Sequence, residues 1–149
     1  MGLLNYTTSI SSDKTVAEIQ AKLAKAGARQ VLHEYDASGN VNAISFRIVT
    51  KFGEMAFRLP ANISSVEAVL KRQFRRGKMV TREQASRVGW SILKDWIESQ
   101  LALIQTGMVT IEQVFLPYAQ NDQGQTIYEA LVDKRFKGLA LSEPSSNVA

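Results

Sequence analysis

Between Arg29 and Pro60 the hydrophobic period changes from that of a helix to that of a strand, and this stretch constrains the fold more than any other. RQVLHEY, VNAISFRIV and EMAFRLP read as three strands, and in the second and third large apolar residues recur at every second position, the period of a strand with one face buried. The joins are short. DASGN carries Gly39 and Asn40, which reach positive φ cheaply, and TKFGE turns around Gly53. Ile44, Phe46 and Ile48 share one face with Met55, Phe57 and Leu59. Ser45, Arg47, Glu54 and Arg58 share the other. The pattern predicts an antiparallel meander with one covered face and one wet face, ended by Pro60.

Helices flank the meander. Thr15-Val16-Ala17-Glu18 and Ser64-Ser65-Val66-Glu67 both have capping-box spacing, in which a hydroxyl and a carboxylate satisfy each other's free amides. The first box predicts a helix to about Ala26, with Val16, Ile19, Leu23 and Ala26 inward and Gly27 as its stop. The second predicts a helix to about Arg76, stopped by Gly77. A long helix is expected from Arg82 to about Thr106, where Gly107 ends it. Its apolar surface is broad, which suits a central helix or an oligomer interface. Shorter helices are expected at Ile111–Tyr118, interrupted near Pro117, and at Ile127–Phe136, with Ile127, Leu131 and Val132 inward. Leu3–Ile10 alternates weakly and reads as an edge strand or an ordered arm.

The predicted fold is therefore α+β. A three- to four-stranded antiparallel sheet in the order α-β-β-β-α packs on helices, followed by a long helix and two shorter ones. One domain is expected over 1–137, with an αβββα half at 1–77 and a helical half at 78–137. Residues 138–149 are expected to be a flexible tail. A length of 149 residues and an apolar content of 45% suit one such core.

The six-mer MVTREQ at Met79–Gln84 recurs as MVTIEQ at Met108–Gln113. In both, a threonine is placed to cap a helix and a glutamine sits three positions on. Val80 with Ala85, and Val109 with Val114, have the spacing of a hydrophobic staple. The sequences diverge beyond the six-mer, so the shared letters are two helix starts and no duplicated site.

Several chemistries find no support. There is no cysteine, so disulfides, thiolate metal sites and cysteine nucleophiles are excluded, and a reducing cytoplasm is the expected setting. No signal-like start and no apolar run of roughly 18 residues occurs, so a soluble protein without a membrane partner is expected. His33 is the single histidine; a zinc site would have to add carboxylates alone. A serine–histidine dyad has no G-x-S-x-G elbow beside it. Asp95 and Glu98, one helical turn apart, have the spacing of an acid–base or metal pair and equally that of a solvated helix face. No phosphate-binding glycine loop is present. No metal, no cofactor and no catalytic set are expected.

Charge is the one localised signal. The net charge is +4, yet Lys71, Arg72, Arg75, Arg76, Lys78, Arg82 and Arg87 fall within one stretch whose single acid is Glu83. On a helix at about 100° per residue, Val66, Leu70 and Phe74 cluster on one side and Lys71, Arg72, Arg75 and Arg76 on the other. Complementing the helix C-terminus accounts for two or three such cations, and not for seven. Arginines suit bidentate phosphate contacts. A nucleic acid, a nucleotide or an acidic protein surface is the expected partner. Trp90 and Trp96, mid-helix, are expected in the core.

The order helix–strand–strand–strand–helix over Thr15–Arg76 resembles the double-stranded-RNA-binding domain in topology, over less than half the chain. That resemblance implies shape-based contact with phosphates and 2′-hydroxyls. The family's lysines stand at the start of its second helix. Here that start reads ISSVEAV and the cations lie at the far end, so no binding residue carries over. Along its length, through LNYTTS, GA-x-x-V, FRLP, TREQASRVGW, KDWIESQLALI and FLPY, the chain resembles small proteins of the bacteriophage or prophage kind. The resemblance implies a phage setting: a nucleic-acid-binding accessory protein, or alternatively an anti-defence regulator that binds a host protein or sequesters a small nucleotide. A homo-oligomer through the long helix is a further expectation.

Overall fold

The computed structural model describes residues 2–143. The chain runs α1 (Ser12–Lys25), β1 (Gln30–Tyr35), β2 (Val41–Thr50), β3 (Gly53–Pro60), α2 (Ile63–Phe74), a 3₁₀ turn (Lys78–Val80), α3 (Arg82–Gln105), α4 (Ile111–Phe115), a second 3₁₀ turn (Leu116–Tyr118) and α5 (Ile127–Asp133). The fold is α+β, with an antiparallel sheet ordered β1-β2-β3. Asp36 Oδ1 accepts from Ser38 and Asn40 in the first turn. Thr50 Oγ1 donates to the Gly53 carbonyl in the second.

Register sets the faces. Ile44, Phe46 and Ile48 pair with Leu59, Phe57 and Met55, as the alternation requires. Phe46 and Phe57 stack at 5.2 Å, and Phe115 meets Phe46 edge-on at 5.5 Å. Trp96 meets the same Phe115 edge-on at 5.5 Å, which ties α3 and α4 into the sheet core. Trp90 is 1% exposed and donates its indole N–H to the Val41 carbonyl at 3.3 Å. Trp90 is a core residue with its one donor satisfied, and Trp96 is half-buried and packs against the core.

α3 lies between α1 and α2 and packs on both. Against α2 it uses Gly89: a Cβ built there would stand 2.9 Å from Ile63 Cδ1. Against α1 it uses polar pairs. Ser12 and Ser86 hydroxyls meet at 2.8 Å, Lys94 bonds Glu18 at 3.0 Å, and Lys22 bonds Glu98 at 3.1 Å. Every large apolar side chain of α3 is buried or half-buried, so the breadth of its apolar surface reflects neighbours on several sides within one chain.

The helix starts depart from expectation. α1 begins a turn early, at Ser11, whose hydroxyl accepts from Lys14 N. Thr15 is therefore inside the helix, where its hydroxyl donates to the Ser11 carbonyl, and Glu18 is free to reach α3. α2 is capped by Asn62, which accepts from Ser65 N, so Ser64 and Glu67 are freed for other partners. Of the two six-mers, Thr110 and Gln113 form the full reciprocal box. Thr81 caps α3 through Gln84 N, but the Gln84 side chain goes elsewhere. Thr126 and Glu129 form a further full box, with the same T-x-x-E spacing.

Leu3–Ile10 is an ordered arm and forms no strand. The outer edge of β3 is met instead by Ala119, in a bridge to Phe57, and by Gln120 N, which donates to the Ala56 carbonyl at 2.8 Å. The last helix stops at Asp133, three residues short of the expected Phe136. Arg135 and Phe136 both stand at φ 54°, and Val132 is 46% exposed instead of inward. Residues 138–143 of the expected tail are exposed, and 144–149 lie outside the described residues.

Candidate anion-binding corner

α2 has an apolar side that buries Leu70 and Ile63, which leaves Lys71 and Arg72 outward in its last turn. The helix ends at Phe74, two residues before the expected Arg76. Arg75 then takes φ 63°, ψ −44°, and Arg76 N donates to the Phe74 carbonyl at 2.7 Å. That is a γ-turn of the positive-φ kind, rare and strained for a residue with a side chain. Gly77 follows at φ 101°, then the 3₁₀ turn with Lys78, then α3. Arg75 and Arg76 thus stand on a corner and not on the helix face assigned to them by periodicity.

The seven predicted cations divide. Arg72, Arg75, Arg76 and Lys78 are exposed, and none has an ion-pair partner among the described residues. Lys71 lies 3.9 Å from Glu67. Arg82 donates to Ser64 Oγ at 2.8 Å and stands 3.7 Å from Glu67. Arg87 bonds Glu83 at 3.0 Å and Gln84 Oε1 at 3.1 Å. Arg82 and Arg87 also line a cleft with Asp13, Asp36 and Glu83, a surface of mixed sign. Glu67, just outside the cation-rich stretch in sequence, is the acid that periodicity missed.

The corner is braced from inside by the N-terminal arm. Tyr6 stacks on Phe74 at 5.1 Å with an interplanar angle of 19°. Leu3 N donates to Gln73 Oε1 at 3.0 Å. Gln84 Nε2 donates to the Tyr6 and Thr8 carbonyls at 3.0 and 2.9 Å, and Asn5 Nδ2 donates to Asp95 Oδ2 at 2.8 Å. Gln73, Phe74 and Gln84 hold the arm while the cations face solvent. The sequence signal for this is one polar residue, Gln84, at a buried helix position beside Ala85 and Val88.

The other candidates are spoken for. Asp95 holds Asn5, and Glu98 stands between Lys22 and Lys94 at 3.1 and 4.0 Å. Their spacing serves helix packing. The hydrogen bond with Lys94 lowers the pKa of Glu18, and the same bond raises that of Lys94. Bonds from the Thr126 backbone and hydroxyl lower that of Glu129. His33 is half-buried opposite Ile44, with Nε2 buried and unpartnered. Among the described residues no group of three or more histidines, cysteines or carboxylates is placed to hold a metal ion, and no helix is long and apolar enough to cross a membrane.

On the open sheet face Arg58 donates two hydrogen bonds to Glu34, at 2.8 and 3.3 Å, reaching across β2. This pair and exposed Arg47 line a cleft of ≈ 880 Å³, flanked by Gln120 and Glu129. Arg58 is therefore neutralised, and the open face does not extend the cationic surface as one field.

No family model matches the chain, and neither a curated protein nor a solved structure matches it.

Proposed function

We propose that this chain is a non-enzymatic, phage-type accessory protein that binds nucleic acid through the corner formed by Arg72, Arg75, Arg76 and Lys78. The observation that carries the reading is the division of the seven cations: four are exposed with no acid partner among the described residues, on a braced corner, and three are drawn into contacts with Glu67 and Glu83. Unpaired arginines contact phosphate oxygens without first breaking an ion pair. Tyr6 and Phe74 occupy each other, so neither of these two rings at the corner is free to stack on bases. Binding is expected to follow the phosphate backbone and to be indifferent to sequence. The phage setting rests on the sequence pattern.

The test is fluorescence anisotropy with labelled single- and double-stranded DNA and RNA across a salt series. Four phosphate contacts give a log–log salt slope of about −3 to −4. Arg72→Gln with Arg76→Gln flattens the slope by about 1.5 to 2 and weakens binding to all sequences alike. Arg87→Gln changes neither. Undetectable affinity for every probe at low salt refutes the proposal.

A second reading, sequestration of a small nucleotide, has one observation in its favour: the open-face cleft with exposed Arg47. Mass spectrometry of the purified protein separates the two, since it identifies an oligonucleotide or a mononucleotide that co-purifies.

A further inference from the structure

We propose that the chain forms a symmetric dimer by pairing β1 with β1 of a second copy, giving a continuous six-stranded sheet. The proposal is independent of the nucleic-acid reading. β2 is paired on both sides, and the outer edge of β3 is met by Ala119 and Gln120 of the same chain. The outer edge of β1 pairs with nothing among the described residues. Edges of this kind are ordinarily guarded by lysine, proline or a covering loop. β1 has neither lysine nor proline, its one register shift comes at its last step, between Glu34 and Tyr35, and it exposes Leu32 at 63% and Tyr35 at 62%.

The sequence of the edge favours its own copy. A twofold axis perpendicular to the sheet keeps the open faces together, so a single residue must lie on the axis. With Leu32 there, Leu32 meets Leu32 of the second copy and Gln30 meets its Glu34. Arg47 sits beside Gln30 on β2. It would then address the Glu34 of the other copy across one strand, the reach that Arg58 already makes to Glu34 within the chain. The contact occurs twice by symmetry, joining an exposed cation to a carboxylate with acceptor capacity remaining. Placing His33 on the axis instead sets Leu32 against Glu34, and placing Val31 there sets Leu32 against Gln30. Of the three, the Leu32 register alone sets the exposed Leu32 against its own copy while turning Arg47 toward Glu34.

A chain without cysteine makes the register directly testable. Residues opposite one another in an antiparallel pair have Cα atoms about 4.5–5.5 Å apart, within the range a disulfide spans. Leu32→Cys is expected to give a covalent dimer under mild oxidation, seen as a doubled intact mass that reductant reverses. Val49→Cys, exposed on the same sheet face but on β2, is expected to stay monomeric under the same treatment. In sedimentation velocity the wild-type chain sediments as a dimer, and Leu32→Lys and Arg47→Glu sediment as monomers with unchanged circular dichroism. The proposal is overturned if the wild-type chain is monomeric at its highest soluble concentration. It is equally overturned by a dimer that Leu32→Lys leaves intact, or by cross-linking of both cysteine variants alike.

Discussion

Gln84 and Tyr6, 78 positions apart, are joined by a hydrogen bond of 3.0 Å from the glutamine amide to the tyrosine carbonyl. The same amide group donates to the Thr8 carbonyl, and Gln84 is 7% exposed. The first turn of α3 thereby closes the N-terminal arm over the α2 corner. Gln84→Met keeps the volume and removes the donors, leaving two part-buried carbonyls unpaired. The expected cost is about 1–3 kcal/mol, read as a lower urea midpoint with the m-value retained. Gln84→Glu costs more, because a carboxylate would then face two carbonyl oxygens. Both variants should speed proteolytic cleavage within the arm, and unchanged cleavage would show that the arm does not depend on this glutamine.

Arg75 combines two roles that substitution can separate. Its backbone is held in a γ-turn at φ 63°, and its side chain is one of the corner's four cations with no ion-pair partner among the described residues. Arg75→Gly removes both strain and charge, so thermal stability should rise, by about 1 kcal/mol, while nucleic-acid affinity falls. Arg75→Ala removes only the charge and should bring no such gain. If the two variants melt together, the turn stores no strain at this residue.

The meander was legible because alternation and turn glycines are local, and a one-residue slip would expose every core side chain. Long-range polar choices were not. Thr15 and Glu18 satisfy the spacing of a cap, but Ser11 begins the helix a turn earlier, and Lys94 on α3 then takes Glu18. Gln84 and Gln113 stand in matching six-mers. Only Gln113 closes its box, because the arm lies within reach of Gln84 and offers two carbonyls. The cationic stretch was visible, but its division was not. Glu67 acts on Lys71 through one turn of helix, which sequence can suggest, and on Arg82 through the folded corner, which it cannot.

Gly89 marks the closest approach of α2 to α3. A methyl group there meets the movable end of Ile63 at 2.9 Å and Val66 Cγ2 at 3.4 Å. Alanine also raises helix propensity by about 1 kcal/mol. Gly89→Ala should therefore be close to neutral in chemical denaturation. Gly89→Leu has no such outlet, because Ile63 is itself buried, and overpacking should cost about 1–3 kcal/mol or more. Equal stability of the leucine variant would contradict the contact.

The bond between Lys94 and Glu18 predicts a pH window for the packing of α1 on α3. Glu18 has its pKa lowered below 4.5, so its contribution is complete above that value and is lost as pH falls through the folded one. Lys94 has its pKa raised above 10.5, so its contribution is complete below that value and is lost as pH rises through the folded one. The melting-temperature gap between wild type and Lys94→Met should hence be flat between these limits and close at both ends. The side chains are 20% and 35% exposed, so added salt should shrink the plateau without abolishing it. Melting curves across pH at two ionic strengths provide the measurement. A gap that persists unchanged well below pH 4.5 would show that Lys94 stabilises the helix pair by packing its aliphatic stem and not by its charge.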